Sequence, residues 1–350
     1  MVPIFPACRL QGWYAFMLPG RIFPRRSEYF ITILIGGFVM LDLCTLGTGG
    51  TMPLPDRALS SLYVRLNGRA LLIDCGEGTQ VGVQRLGWGI QCIDGILISH
   101  FHADHCSGLP GMLLALTKAQ RTEPLHIYGP VGLTQVVNGL RVIAPQLTFP
   151  VMLHELTGQT EFDLIGLKIT AFPLDHGIPC LGWRLHLARS AAFDPAKARA
   201  LNVPLPLWRR LQRGETAEAE GRIFRPEDVM GPPRPGITVL YATDTRPVDA
   251  IPDLGFRCDL MILEGMYGAE EKRPLAIRNH HMLFREAAAL ARDAEAGRLL
   301  LTHFSTSIET PEEYLPNARE VFPLTDAATD GMILTLQYPS SDSEGDHAIL

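Results

Sequence analysis

Hydrophobic and polar positions along the first half of the chain alternate in short blocks, which glycine-rich loops separate. The runs Leu41–Leu46, Ser61–Leu66 and Arg69–Asp74 each have the length and apolar character of a strand. The run Gly95–Ser99 predicts a buried strand, and Leu109–Ala119 predicts the helix that follows it. Strands and helices mixed in this way indicate an α/β fold.

The rest of the chain also contains short apolar runs between polar loops. Its predicted strands are Leu125–Tyr128, Leu167–Phe172, Gly182–Leu187, Thr238–Ala242, Leu260–Leu263 and Leu299–Thr302. Helical patterns cover Arg285–Ala296 and Pro311–Val321. Between residues 188 and 234 the pattern breaks into a polar, proline-bearing segment with a short helix near Pro195–Ala200. We interpret this segment as an insertion within one domain, residues 40–339.

The two ends of the chain differ from this domain. Residues 1–39 are arginine-rich and then apolar, but the apolar stretch 29–41 has only 13 positions, and a membrane-spanning helix needs about 17–25. No small-residue cleavage site precedes the first strand, which argues against a signal peptide. We expect a disordered leader, or a mature chain that begins at Met40, and no membrane partner; a membrane anchor is the less favoured alternative. Residues 340–350 predict a disordered tail.

Composition and charge exclude several classes of protein. Hydrophobic residues make up 47% of the 350 positions and charged residues 19%, which excludes an intrinsically disordered chain. The net charge of −6 excludes a histone-like polycation. The seven cysteines are widely spaced and form no C-x-x-C pair, which favours a reduced, cytoplasmic compartment over a disulfide scaffold.

The candidate chemistry is concentrated in the motif H-x-H-x-D-H, directly after the predicted strand Gly95–Ser99. His100, His102, Asp104 and His105 offer imidazole nitrogens and a carboxylate, the ligands that suit a catalytic zinc ion. Because alternate residues of an extended segment point the same way, His100 and His102 can face one ion. The turn that follows directs Asp104 and His105 toward a second ion.

Two tetrahedral sites need further ligands, and three candidates follow later apolar runs. They are His176, Asp244 and His303. Side chains at the ends of neighbouring strands can converge, so we expect these three to join the motif. Asp244 is the natural bridge, since one carboxylate can give an oxygen to each ion. The sequence therefore predicts two zinc ions per chain.

With these motifs the chain resembles the ribonuclease Z family of the metallo-β-lactamase superfamily, over residues 40–338. Besides H-x-H-x-D-H, it shares the strings D-C-G-E-G-T-Q at residues 74–80, D-T-R-P at 244–247 and L-L-T-H at 300–303. The resemblance implies a four-layer αββα sandwich with the site at one edge. It assigns one zinc ion to His100, His102, His176 and Asp244, and the other to Asp104, His105, Asp244 and His303.

The resemblance also implies a mechanism. Two zinc ions hold a hydroxide and the scissile phosphate, and stabilise charge during an in-line displacement. Asp104 doubles as the proton acceptor, while His281, oriented by Glu264, protonates the departing 3′ oxygen. If the alignment with the family is shifted by one position, the neighbouring His280 takes the role of His281, so both stay candidates.

The implied function is an endoribonuclease, acting as a homodimer, that removes the 3′ trailer from precursor tRNA. The insertion resembles the arm with which this family grips tRNA. Residues 184–225, which include most of the insertion, contain nine basic residues against four acidic ones, a local charge of +5 that suits phosphate binding. The candidates for RNA contact are Lys197, Arg199, Arg209, Arg210 and Arg213.

Three alternatives stay open. The strings around Glu264 and His281 depart from the family pattern, so a zinc phosphodiesterase acting on small or cyclic diesters is the main alternative. The basic residues of the insertion can also be an ordinary solvated surface. A non-catalytic RNA-binding scaffold is the least favoured function, because such a protein would normally have lost metal ligands and all seven candidates are present here.

Overall fold

Sixteen strands and eleven α-helices follow one another along residues 40–338, the part of the chain that this computed structural model describes. The expected leader and tail, residues 1–39 and 340–350, lie outside the described residues. The strands are β1 (Met40–Gly47), β2 (Ser61–Leu66), β3 (Arg69–Ile73), β4 (Ile93–Leu97), β5 (Leu125–Pro130), β6 (Val151–Leu156), β7 (Thr160–Leu164), β8 (Leu167–Pro173), β9 (Leu181–Arg189), β10 (Ala217–Ala219), β11 (Arg222–Phe224), β12 (Arg234–Ala242), β13 (Leu260–Glu264), β14 (Leu299–Thr302), β15 (Thr325–Ala327) and β16 (Met332–Gln337). The helices are α1 (Thr79–Leu86), α2 (Ala103–Cys106), α3 (Leu109–Lys118), α4 (Leu133–Leu140), α5 (Pro195–Ala200), α6 (Leu205–Gln212), α7 (Pro226–Val229), α8 (Ala250–Leu254), α9 (Arg273–Asn279), α10 (Phe284–Asp293) and α11 (Leu315–Arg319). Short 3₁₀ turns occur at Arg141–Ile143, Glu270–Lys272 and Pro311–Tyr314.

Two seven-stranded sheets contain most of these strands. The first has the order β16-β1-β2-β3-β4-β5-β6, antiparallel from β16 to β3 and parallel from β3 to β6. The second has the order β15-β14-β13-β12-β9-β8-β7, parallel from β15 to β12 and antiparallel from β12 to β7. The ribbon β10-β11 belongs to the insertion.

The apolar strands are covered on both faces, and β3 shows how. Successive side chains of a strand point to opposite faces, so Leu71 and Ile73 enter the core between the two sheets. Ala70 and Leu72 enter a second core, where side chains of α1, α3 and α4 pack against the outer face of the first sheet. A strand that is buried on both sides reads as a continuous apolar run rather than an alternating one.

The second sheet is covered in the same way by α10, whose Phe284 and Ala291 pack with Leu263 and Leu301 of β13 and β14. The layers are therefore helices, sheet, sheet and helices, which confirms the expected four-layer αββα sandwich.

The strand ends explain why distant residues can meet. Within the parallel part of the second sheet, Ala242 pairs with Leu263, and Glu264 pairs with Thr302. The segments after β12, β13 and β14 therefore start at one edge of the sheet. The motif after β4 and the loop after β8 supply the other candidate residues.

Some predicted boundaries differ from the structure. The predicted strand at residues 95–99 is β4, Ile93–Leu97, because the backbone N–H of Ser99 leaves the sheet and donates to Asp74 Oδ1 at 2.7 Å. The helix predicted over residues 311–321 is a 3₁₀ turn followed by α11. Pro316 has no N–H to donate to residue 312 and its ring opposes that carbonyl, so a continuous helix cannot form.

The insertion, residues 188–234, contains more regular structure than its polar pattern suggested. Three short helices, α5 to α7, and the ribbon β10-β11 surround a small apolar core. The buried residues of this core are Ala198, Val203, Leu211, Ala217, Phe224 and Val229. Within residues 40–338, none of the helices is both long enough and apolar enough to cross a bilayer.

Candidate metal centre

The first group of candidate ligands gathers around His102. Its Nδ1 lies 3.0 Å from His100 Nε2 and 3.1 Å from His176 Nε2. Asp244 Oδ2 completes the group, at 3.7 Å from His100 Nε2 and 3.6 Å from His176 Nε2. One ligand atom from each of these four residues lies within 4.8 Å of every other. Residues from the loops after β4, β8 and β12 therefore converge on one point.

The second group lies on the other side of the same carboxylate. His105 Nε2 and His303 Nε2 are 3.0 Å apart, and Asp244 Oδ1 lies 3.3 Å and 3.1 Å from them. Asp104 Oδ2 approaches the same two nitrogens, at 3.6 Å from His105 and 3.4 Å from His303. Asp244 thus faces the first group with Oδ2 and the second with Oδ1.

The electrostatics of these groups suit a cation. Burial, together with the charge of neighbouring His105, lowers the pKa of His100 to about 2, so its ring is neutral and can offer a lone pair. Burial would raise the pKa of Asp244, but the nearby imidazoles of His303, His105 and His100 hold it well below its usual range. Among the described residues, Asp244 Oδ1 is buried without a hydrogen-bond partner. A buried anionic oxygen normally requires a partner, and a metal ion between these nitrogens and oxygens would supply it.

Asp74 orients the imidazole of His105 through its Nδ1 atom. Its carboxylate accepts hydrogen bonds from the backbone N–H of Ser99 at 2.7 Å and from the Ser99 hydroxyl at 3.0 Å. It lies 2.8 Å from His105 Nδ1. When Nδ1–H donates to this carboxylate, Nε2 is left free to bind a metal. The D-C-G-E-G-T-Q string therefore contributes an orienting carboxylate.

The glycine-rich loop after β1 also supports the site, and sequence reasoning missed this role. The backbone N–H of Thr51 donates to Asp104 Oδ2 at 2.6 Å. Gly50 lies against the ring of His303, so closely that a Cβ on Gly50 would be 2.5 Å from His303 Cε1. The available signal was the run of glycines directly after a buried strand, which permits a close backbone approach.

His281 and Glu264 form a pair beside the two groups. His281 Nδ1 lies 3.0 Å from Glu264 Oε2, and Glu264 Oε1 accepts the backbone N–H of Thr245 at 2.6 Å. Burial would lower the pKa of His281, but the negative charge of Glu264 and its hydrogen bond raise it to about 9. The His281 ring centre lies 5.1 Å from that of His176 and 6.1 Å from that of His303. An imidazolium is thus held next to the ligand cluster.

The neighbouring His280 has a different partner. Its Nδ1 lies 2.9 Å from Asp175 Oδ1, and its side chain is 41% exposed, whereas that of His281 is 12% exposed. Its backbone carbonyl lies 3.2 Å from His176 Nδ1. Of the two adjacent candidates, His281 is therefore the one paired with Glu264.

The basic residues of the insertion lie in and around α5 and α6, with varied contacts. Lys197 Nζ donates to the carbonyl of Met230 at 2.7 Å. Arg210 and Arg213 both pair with Glu215, at 3.4 Å and 2.8 Å. The other two candidates are Arg199, whose guanidinium lies 5.9 Å from the Trp208 ring centre, and Arg209.

The sandwich, with His and Asp side chains clustered at strand ends, defines a metallo-β-lactamase-fold protein with a metal site. The family described as "Beta-lactamase superfamily domain" matches residues 225–304, and "Anti-Pycsar protein Apyc1" matches residues 41–177. The crystal structure of human tRNase Z, short form, has a TM-score of 0.61 at 25% identity, covering 85% of this chain and 100% of that one. The Bacillus subtilis protein YhfI, at 19% identity, shares the fold with a TM-score of 0.62, covering 85% of this chain and 100% of its own.

Individual relatives show which family within this fold class the chain belongs to. The chain is 46% identical to ribonuclease Z of Lachnoclostridium phytofermentans over 304 residues, which is 87% of this chain and 100% of that protein. It is 44% identical to ribonuclease Z of Clostridium acetobutylicum, over 86% of this chain and 100% of that protein. The chain belongs to the ribonuclease Z family. This membership confirms the resemblance drawn from the motifs and, with it, the expected hydrolytic endoribonuclease activity.

Proposed function

We propose that this chain is a zinc-dependent phosphodiesterase that removes the 3′ trailer from precursor tRNA. The observation that carries the proposal is the pair of ligand groups that share Asp244, with the His281–Glu264 pair beside them. Membership of the ribonuclease Z family supports the choice of a tRNA substrate.

In this proposal His100, His102, His176 and Asp244 hold one zinc ion, and Asp104, His105, His303 and Asp244 hold the other. Nitrogen and carboxylate ligands in sets of four suit zinc. When bound, the two ions would lower the pKa of a water molecule and neutralise charge on the phosphate.

The remaining steps belong to the chain's own residues. Asp104 accepts a proton from the attacking water; its Oδ2 is held by the N–H of Thr51. His281, kept protonated by Glu264, gives its Nε2 proton to the 3′ oxygen as the bond from that oxygen to phosphorus breaks. The proton ends on the 3′-hydroxyl of the tRNA, and the phosphate leaves on the trailer.

The insertion would hold the tRNA at a distance from the metal centre. Lys197, Arg199, Arg209, Arg210 and Arg213 are the proposed phosphate contacts, because basic side chains dominate affinity for nucleic acids. We also propose that the chain acts as a homodimer in the cytoplasm. The free thiols of the six cysteines among residues 40–338 support a reducing compartment.

Purified protein with precursor tRNA tests the proposal. Cleavage should yield tRNA with a 3′-hydroxyl, stop when a chelator removes the metal, and return when zinc is added. His102→Ala should abolish cleavage, while His126→Ala should leave it unchanged, because His126 pairs with His154 away from the metal centre. Full activity of His102→Ala, or of the chelated protein, would contradict a zinc-dependent reaction.

A further inference from the structure

Arg246, in the D-T-R-P string after β12, connects the metal centre to the segment that contains His281. Its Nη1 donates to the backbone carbonyl of His281 at 2.5 Å and to Glu286 Oε2 at 2.9 Å, and its Nη2 donates to Glu286 Oε1 at 2.6 Å. The side chains of Arg246 and Glu286 are only 17% and 12% exposed. A bidentate pair of this kind has a fixed geometry.

The segment that Arg246 contacts is short and irregular. It joins α9 to α10 and begins at His280, which has a left-handed φ of 55°. The backbone N–H of His281 donates to the carbonyl of Ala276 at 2.8 Å, and the N–H of Leu283 donates to Glu286 Oε2 at 3.0 Å. Arg246 and Glu286 thus hold the two residues on either side of Met282.

We propose that Arg246 and Glu286 are positioning residues, which fix the His281 imidazole for protonation of the leaving oxygen. Glu264 holds the ring at Nδ1, and Arg246 holds the backbone of the same residue at its carbonyl. These two attachments define where the free Nε2 lies. The inference rests on the proposed function, in which His281 is the acid.

A competing role for Arg246 is direct binding of a substrate phosphate. Three of its N–H groups already donate to His281 and Glu286, and the Glu286 carboxylate neutralises its charge. Arg273 also donates to Glu286 Oε1, at 2.8 Å, and continues to Glu270 Oε2 at 2.5 Å. The guanidinium therefore belongs to a partly buried network of ion pairs, which favours positioning over substrate binding.

Two substrates with different leaving groups distinguish positioning from general stability. The 3′ oxygen of a nucleotide leaves poorly and needs a proton, whereas 4-nitrophenolate leaves bis(4-nitrophenyl) phosphate as a stable anion. Arg246→Met and Glu286→Gln should lower kcat on precursor tRNA about 10- to 100-fold, with KM and bound zinc little changed. Hydrolysis of bis(4-nitrophenyl) phosphate should change less than about 3-fold. His281→Ala should show the same selective loss, and Arg246→Met should add little to it.

Arg319→Met is the matched control, because Arg319 also bridges a backbone carbonyl, that of Thr325 at 2.8 Å, and a carboxylate, that of Asp326 at 3.1 Å. It should leave both rates unchanged. Equal losses on both substrates, or an unchanged rate on precursor tRNA, would overturn the positioning role. If Arg246→Met does not fold, Arg246→Lys and Glu286→Gln decide by the same comparison. If the wild-type protein does not cut precursor tRNA, the proposed function is overturned as well. If His281→Ala loses activity on precursor tRNA selectively but the Arg246 and Glu286 variants do not, only the positioning role of Arg246 and Glu286 is overturned.

Discussion

His303 is held by packing where other imidazoles of the site are held by hydrogen bonds. Among the described residues, its Nδ1 is buried and has no hydrogen-bond partner, whereas His105 Nδ1 lies 2.8 Å from Asp74. The ring of His303 rests on Gly50 instead. Because Gly50 has no side chain, its backbone packs directly against the ring. This packing orients His303 where a hydrogen bond orients other imidazoles of the site.

Gly50→Ala should displace His303 and weaken the second ligand group. A Cβ would lie 2.5 Å from His303 Cε1 and 2.9 Å from Nδ1, so the ring must move. We expect loss of one of two bound zinc ions and a fall in precursor cleavage of about 10–100-fold, measured by metal analysis and initial rates. Gly139→Ala is the control, since nothing lies within 4 Å of a Cβ there. Full zinc occupancy in Gly50→Ala would contradict this account of His303.

The pH dependence of cleavage should change when the negative charge of Glu264 is removed. This carboxylate stabilises the imidazolium of His281 and raises its pKa to about 9. Glu264→Gln removes the negative charge, so His281 loses its proton at a lower pH and the alkaline decline in kcat moves to lower pH. The rate at neutral pH should also fall about 10–100-fold. Profiles of the wild type, Glu264→Gln and His281→Ala on precursor tRNA measure this shift. A Glu264→Gln profile that declines at the wild-type pH would refute it.

At the scale of elements, the structure brings the predicted ligand residues together because each of them follows the end of a strand. Apolar runs that become β4, β12 and β14 lead directly to His100, Asp244 and His303. A strand buried on both faces has a strong apolar signal, and parallel neighbours bring their ends together. The set of candidate ligands could therefore be assembled from local patterns, without any knowledge of the sheet order.

Several elements that face solvent were not predicted, because burial leaves no strong pattern in them. The edge strand β6 has mostly half-buried or exposed positions, and α6 has Leu211 as its buried residue. Contacts between distant backbone atoms were equally hidden, such as the N–H of Thr51 on Asp104 and the guanidinium of Arg246 on the carbonyl of His281. Such contacts depend on which loops the fold brings together, and a single sequence does not encode that locally.

At the scale of the whole molecule, charge is unevenly distributed. The chain has a net charge of −6, but residues 184–225 have nine basic and four acidic residues. Most of these charged residues lie in the insertion. The insertion has its own apolar core, separate from the core between the two sheets. The proposed RNA contacts therefore lie on a different substructure from the carboxylates of the candidate metal centre.

The insertion should determine affinity for tRNA without affecting the bond-breaking step. Glu215 already pairs with Arg210 and Arg213, so Arg199 and Arg209 should contribute more to RNA binding. Arg199→Ala and Arg209→Ala should each raise KM for precursor tRNA. Each should also make the slope of log affinity against log salt concentration less steep, by about the amount that one phosphate contact contributes. Hydrolysis of bis(4-nitrophenyl) phosphate should stay unchanged in both variants. Arg292→Ala, which removes an exposed arginine paired with Asp293 on α10, is the control. Unaltered KM and salt dependence in both insertion variants would leave the insertion as a solvated surface and favour a small phosphodiester as the substrate.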